Sequence, residues 1–208
     1  CMKLLESKTV IITGASRGIG RGIAKVFAKQ GANIAFTYRS SDEKAKALED
    51  ELSAYGCKVK GYKSDASNFE AAQQLAVDVL EEFGSIDVLV NNAAIDPKVD
   101  GLEGLKETSR LENFTLEQWN LQVSVGLTGA FLCSQIFGSK MAYDRKGGVI
   151  LNIASDLSVF SPDQRIYRKD GRADEMQPVK PITYSVIKSG LIGLTRYLAT
   201  YWASEGVR

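Results

Sequence analysis

The sequence contains no histidine. That absence excludes every histidine-based catalytic triad, every imidazole proton shuttle and every histidine-ligated metal site. Cysteine is scarce as well. Cys1, Cys57 and Cys133 stand at unrelated spacings, which offers neither a disulfide framework nor a metal-ligand pattern and reads as buried or free thiols in a reducing cytoplasm. No charge is in excess: 26 Lys and Arg face 25 Asp and Glu, a net +1, so nothing argues for nucleic acid or an anionic membrane as a partner. No uninterrupted apolar run reaches the roughly 18 residues of a membrane span, and the start lacks the apolar centre of a signal peptide. The expectation is a soluble, cytoplasmic protein whose chemistry uses Tyr, Lys, Ser, Cys or carboxylates, without a metal.

What is present reads as one domain over 1–208, long enough to bury its own core. Apolar runs at 9–12, 33–37, 59–62, 87–90 and 149–153 predict short strands. Between and after them, amphipathic segments at 18–30, 42–55, 68–83, 115–142 and 183–204 predict helices. Ser67 or Asn68 suits the cap of the third helix, Thr115 with Glu117 and Gln118 suits the fourth, and Gly31, Gly56 and Gly84 stand where helices should stop. This alternation is that of an α/β fold, a three-layer Rossmann-type doubly wound parallel sheet. Two polar stretches, 95–114 and 156–182, are punctuated by Pro and Gly and predict loops at the carboxyl ends of strands, where such sheets bind ligands.

Two short segments carry the chemistry. Thr13-Gly14-Ala15-Ser16-Arg17-Gly18-Ile19-Gly20 directly follows the first strand and opens a helix, the context that a phosphate-binding turn requires. Gly14 would permit the tight turn, Gly18 a close backbone approach, and Gly20 close packing of helix on sheet. The helix N-terminus then offers free N–H groups to a pyrophosphate. The alternative, for this segment alone, is a plain tight βα turn. The second strand ends in Thr37-Tyr38-Arg39-Ser40-Ser41 with no acidic residue to bind ribose hydroxyls, whereas Arg39 and Arg17 could clamp a 2′-phosphate, which favours NADP(H) over NAD(H).

Tyr184 and Lys188 stand one helical turn apart and can face one ligand. A phenol ordinarily titrates near about 10 and is a poor acid or base at neutral pH unless a cation stabilises its anion. Ser155, after the fifth strand, could hold a substrate oxygen and stabilise charge developing on it. Taken alone, Tyr184 and Lys188 read more readily as surface residues of a helix.

From about residue 3 to its end the chain resembles the short-chain dehydrogenase/reductase family. The residues that carry the resemblance are the glycine segment, Asp65 after the third strand, Asn91-Asn92-Ala93-Ala94 ending the fourth, and Ser155, Tyr184 and Lys188. The resemblance implies a hydride-transferring oxidoreductase with Ser155, Tyr184 and Lys188 catalytic. It assigns Gly14, Ser16, Arg17, Gly18, Ile19, Gly20, Arg39, Asp65, Ala66, Asn91, Ala93, Tyr184 and Lys188 to the cofactor. It further implies a homodimer or homotetramer through helices 115–142 and 183–204, and a small carbonyl or alcohol substrate. Up to about residue 90 the chain is similar to 3-oxoacyl-[acyl-carrier-protein] reductases; beyond it, to short-chain enzymes of surface-polysaccharide and flagellin-sugar modification. The substrate is thus a 3-oxoacyl thioester or a (nucleotide-)sugar.

Three departures from the family pattern stand out. Gly126 replaces an Asn whose main-chain carbonyl holds a relay water in the family, a group that glycine still supplies. The stretch from Ser155 to Tyr184 is long, and its Arg165, Arg168, Lys169 and Arg172 form either a phosphate grip or a solvated charged loop. The chain stops at Glu205-Gly206-Val207-Arg208, where the family continues into two further strands, so a fragment truncated after the Tyr184 helix is expected, with an exposed edge on its last strand. Cys1 ahead of Met2 also suggests a fragment boundary. The competing reading is a non-catalytic NADP-binding sensor or assembly subunit of the same fold.

Overall fold

The computed structural model describes residues 3–65, 67–95, the backbone of 102–103, and 106–208. The chain alternates β1 (Thr9–Ile12), α1 (Gly18–Lys29), β2 (Asn33–Tyr38), α2 (Asp42–Ser53), β3 (Val59–Lys63), α3 (Phe69–Phe83) and β4 (Val88–Asn91). A small antiparallel pair, β5 (Leu102–Glu103) and β6 (Lys106–Glu107), precedes the long α4 (Leu116–Asp144), β7 (Val149–Asn152) and α5 (Ile182–Tyr201). The main sheet is parallel throughout, in the order β3-β2-β1-β4-β7. The chain therefore builds outward from β1 to β3 and then returns to the other side of β1. That reversal, between β1 and β4, opens the crevice that ligands use in such folds.

Strand alternation divides the core between the two faces. Val10, Ile12, Ile34, Phe36 and Val90 pack against Ala24 and Ala28 of α1 and Leu48 and Leu52 of α2. Ile11, Ala35, Leu89 and Ile150 pack on the other face against α3 and against Cys133, Phe137 and Met141 of α4. Each large side chain withdrawn from water in this way stabilises the fold by about 1.5–3 kcal/mol. Caps form where the sequence predicts them: Asn68 Oδ1 accepts from Ala71 N (2.8 Å) and Thr115 Oγ1 accepts from Gln118 N (3.2 Å).

Helix α4 is long and apolar enough to cross a membrane by length and composition, but half of its apolar window is buried within the protein, as befits a core helix. Two single π turns interrupt it, Ser124–Thr128 and Ser134–Gly138. The second brings Gly138 so close to Trp202 that an added Cβ would stand 2.3 Å from the indole.

Two expectations need correction. The edge of β7 is not bare: Ile150 N donates to Arg208 O (2.7 Å) and Arg208 N to Gly148 O (2.9 Å), so residues 206–208 pair alongside it. The 156–182 stretch is not a plain loop, because it contains 3-10 turns at Asp156–Ser158, Gln164–Tyr167 and Asp174–Met176. Gln177, only 5% exposed, fastens this stretch by donating to Lys169 O (3.0 Å) and Arg172 O (2.7 Å). Its arginines are engaged internally: Arg165 with Asp163 (2.7 Å), Arg168 with Asp174 (2.5 Å) and Arg172 with the buried Glu107 (3.5 Å). A phosphate grip would have to displace these carboxylates.

Candidate active site

The glycine turn crosses the crevice at the end of β1. Gly14 has φ +69°, and a Cβ there would lie 2.9 Å from Ala93 Cα, so only glycine lets the turn lie against the segment after β4. A Cβ at Gly20 would fall 2.5 Å from Asn92 Nδ2 and 2.7 Å from Gly14 O, so the helix can close on the turn only without a side chain. Asn92 Nδ2 donates to both Thr13 O and Gly14 O (3.0 Å each), while Thr13 Oγ1 accepts from Asn92 N and Ala93 N (3.0 Å each). Thr13 and Asn92 thus lock the turn to β4. Neither is singled out by sequence reasoning; the signal was the doubled asparagine at 91 and 92, which supplies one side chain to each side of the backbone.

The start of α1 carries neither a side-chain cap nor a negative charge, and Arg17 precedes it in extended conformation. The first-turn N–H groups therefore remain available. Ser16 is half-buried beside the turn, Gly18 has open space around it, and Ile19 is 66% exposed despite its apolar side chain. Arg17 and Arg39 are exposed and, among the described residues, form no ion pair. Asp65 accepts from Ser67 N (2.9 Å) and Ser67 Oγ (2.6 Å); that hydrogen bonding, aided by the charge of Arg39, holds its carboxyl below the usual range. Ala66 lies outside the described residues. A dinucleotide fits this set: a tight cradle, free N–H groups and unpaired cations.

On the other side of the reversal, α5 places Tyr184 half-buried and Lys188 only 7% exposed. Lys188 Nζ donates to Ile153 O (2.6 Å), and Ser189 Oγ donates to Ser158 O (2.9 Å). These two bonds fasten α5 to the exit of β7, where Ser155 stands. Ser155 Oγ donates to Asp156 Oδ1 (2.8 Å) and accepts from Leu157 N (3.2 Å). The Ser155 hydroxyl, with the Leu157 N–H, holds the Asp156 carboxyl below its ordinary value. The thiols offer no competing nucleophile among the described residues, since burial raises Cys57 and pushes Cys133 up to about 12.

Residues 8–167 match the family model described as short chain dehydrogenase. The chain belongs to that family. It is 31% identical over 201 residues to a 3-oxoacyl-[acyl-carrier-protein] reductase FabG of Staphylococcus epidermidis, covering 97% of this chain and 71% of the relative. It is likewise 31% identical over 204 residues to a D-threitol dehydrogenase of Mycolicibacterium smegmatis, covering 98% and 68%. Among solved structures, a Serratia marcescens short-chain dehydrogenase/reductase superposes with a TM-score of 0.79 at 29% identity, over 98% of this chain and 71% of that one. Family membership makes the protein a nicotinamide-dependent oxidoreductase acting on CH–OH and C=O groups.

This short-chain dehydrogenase has an interior polar knot beside the site. Asn91, 5% exposed, uses its Nδ2 to reach Asn152 Oδ1 (2.8 Å) and Ser134 Oγ (3.0 Å), joining β4 to β7 and α4. Its side chain is thus committed to the scaffold. Asn91 Oδ1 is buried without a hydrogen-bond partner. Asn91, Gly126, Ile153 and Lys188 line a cavity of about 10 Å³, about the size of one water. Gly126 lies in the first π turn of α4, a helix irregularity common at functional sites.

Proposed function

We propose that the chain is a soluble, cytoplasmic NADP(H)-dependent reductase or dehydrogenase of a 3-oxoacyl thioester or a (nucleotide-)sugar, with Tyr184, Ser155 and Lys188 as its catalytic residues. The observation that carries this reading is the pair of bonds from α5 to the exit of β7, which brings the phenol, the ammonium and the hydroxyl to one end of the sheet. When bound, the nicotinamide supplies or accepts the hydride at the substrate carbon. In reduction, the Tyr184 hydroxyl gives its proton to the carbonyl oxygen as that oxygen gains negative charge; in oxidation it takes the proton back. Ser155 turns from Asp156 to donate to the same oxygen, stabilising the charge as it forms. Lys188, oriented by the Ile153 carbonyl, sets a positive charge beside the phenol.

On the cofactor side, Gly14, Ser16, Gly18, Ile19 and Gly20 would hold the pyrophosphate, and Arg17 and Arg39 would hold the 2′-phosphate. By the family resemblance Asp65 would meet the adenine, and Asn91 and Ala93 would border the cofactor. The free, exposed arginines and the lack of an acidic residue at the end of β2 support NADP(H). Exposed Leu116, Phe131 and Tyr143 on α4, with Val186, Tyr197 and Tyr201 on α5, support self-association into a homodimer or homotetramer.

The deciding experiment measures NADPH oxidation with a panel of 3-oxoacyl thioesters and keto-sugars. Tyr184→Phe is expected to abolish turnover and leave NADPH binding nearly intact; a wild-type rate in that variant would remove Tyr184 from the mechanism. A second reading, a nucleotide-binding sensor or assembly subunit, draws on Gly126 standing where the family has Asn. NADPH binding without turnover on any substrate of the panel would favour it.

A further inference from the structure

The stretch between Ser155 and Tyr184 ends in a lysine set directly over the phenol. Lys180 Nζ lies 3.9 Å from the centroid of the Tyr184 ring, nearer than Lys188 Nζ at 5.7 Å. Its place is fixed from several directions. Lys180 N donates to Gln164 Oε1 (2.8 Å), and Gln164 opens the 3-10 turn Gln164–Tyr167, which Asp163 caps by accepting from Arg165 N (3.0 Å). The preceding Val179 N donates to Ser109 Oγ (3.0 Å), and Ser109 Oγ donates to the buried Glu107 (2.9 Å). The following Pro181 is buried, and its ring fixes the backbone at the start of α5.

We propose that Lys180 is a positioning residue for Tyr184, and that the long stretch before α5 exists to hold it there. This rests on the reading of Tyr184 as the proton-transferring group. A cation over an aromatic face is attracted by the negative face of the ring, and the contact orients the ring. As the hydroxyl proton leaves for the substrate oxygen, negative charge spreads into that ring, so the attraction grows during the step. A contact stronger in the transition state than in the ground state raises kcat rather than lowering KM. Lys180 therefore acts through Tyr184, and the bonds from its own N–H to Gln164 and from Val179 N–H to Ser109 fix the main chain from which its side chain reaches the ring.

The test uses the full chain with NADPH and acetoacetyl-CoA as the probe substrate. Lys180→Met is expected to lower kcat about two- to fivefold, the range of a partly exposed cation–π contact, with KM for NADPH unchanged. Lys180→Arg, which keeps the cation, should recover most of the loss, and Gln164→Leu should lower kcat by a smaller factor. In protein carrying 3-fluorotyrosine, the Tyr184 ¹⁹F resonance, assigned by its loss in Tyr184→Phe, should move in Lys180→Met and return in Lys180→Arg. An unmoved resonance, or an Arg variant as impaired as the Met variant, would overturn the role of Lys180. Failure of the wild type to turn over acetoacetyl-CoA and every keto-sugar of the panel would instead count against the hydride-transfer reading, with the resonance still reporting on Lys180.

Discussion

Gly126 of α4 and Ile187 of α5 share one volume: a Cβ built on Gly126 would stand 2.9 Å from Ile187 Cγ2. Ile187 is buried and immediately precedes Lys188, so the fit between these residues sets how closely the helix bearing Tyr184 approaches the first π turn of α4. The family asparagine could not be restored at 126 without moving Ile187.

Gly126→Ala should therefore destabilise the protein by about 1–3 kcal/mol, the usual range for overpacking a filled site. Ile187→Ala should relieve the Gly126→Ala penalty. Urea denaturation of the two single variants and the double variant measures the coupling; additive effects would show that the two sites do not share space.

Gly20 presents a harder limit, because the atoms facing an added Cβ include Gly14 O and Ala15 Cα of the backbone. Backbone gives way less readily than a side chain. Gly20→Ala is expected to cost about 1–3 kcal/mol of stability and to weaken NADPH binding together with it. Thermal denaturation and fluorescence titration with NADPH check the two effects, and full affinity in this variant would show that the turn tolerates displacement.

Arg39 should discriminate between the two nicotinamide dinucleotides. A hydrogen bond to a charged partner contributes about 1.5–3 kcal/mol, so Arg39→Asp should weaken NADPH about ten- to hundredfold and improve NADH. The ratio of the two dissociation constants is the readout. An unchanged ratio would place the 2′-phosphate elsewhere.

The turn that holds Lys180 should respond to acid. Arg165, by side-chain hydrogen bonds and with its backbone N–H, depresses the Asp163 carboxyl to about 2. The unfolded value is higher, about 3.9, so the contribution of Asp163 is fully present above that pH and disappears as pH falls through about 2. The Arg165 amide, which donates to Asp163 at 3.0 Å, should titrate by NMR with that low midpoint. Asp163→Asn should abolish the titration.

Much of the site was legible because its signals are local. The positions of Gly14, Gly18 and Gly20 follow from what a βα turn needs, whereas Tyr184 and Lys188 are singled out by the family resemblance, since helical periodicity alone puts them only on one face. Capping by Asn68 and Thr115 is also a short-range matter, as were the ends of the helices to within a few residues. Thr13 and Asn92 were missed because their bonds join positions 78–80 residues apart, and no local pattern records such a pairing. The covered edge of β7 depends likewise on Trp202 packing into the core and returning residues 206–208 to the sheet.

By itself the sequence determined the alternation of strands and helices, the location of the glycine turn and the residue types left for chemistry once histidine was absent. These are properties of short windows, set by backbone conformation and by the periodicity of burial. Only the tertiary structure decided that Lys180 lies over Tyr184, that Ile187 fills the space beside Gly126, and that the arginines of the long stretch are bound to carboxylates. Those outcomes depend on which side chains packing brings within a few ångströms, and separation along the chain carries no information about that.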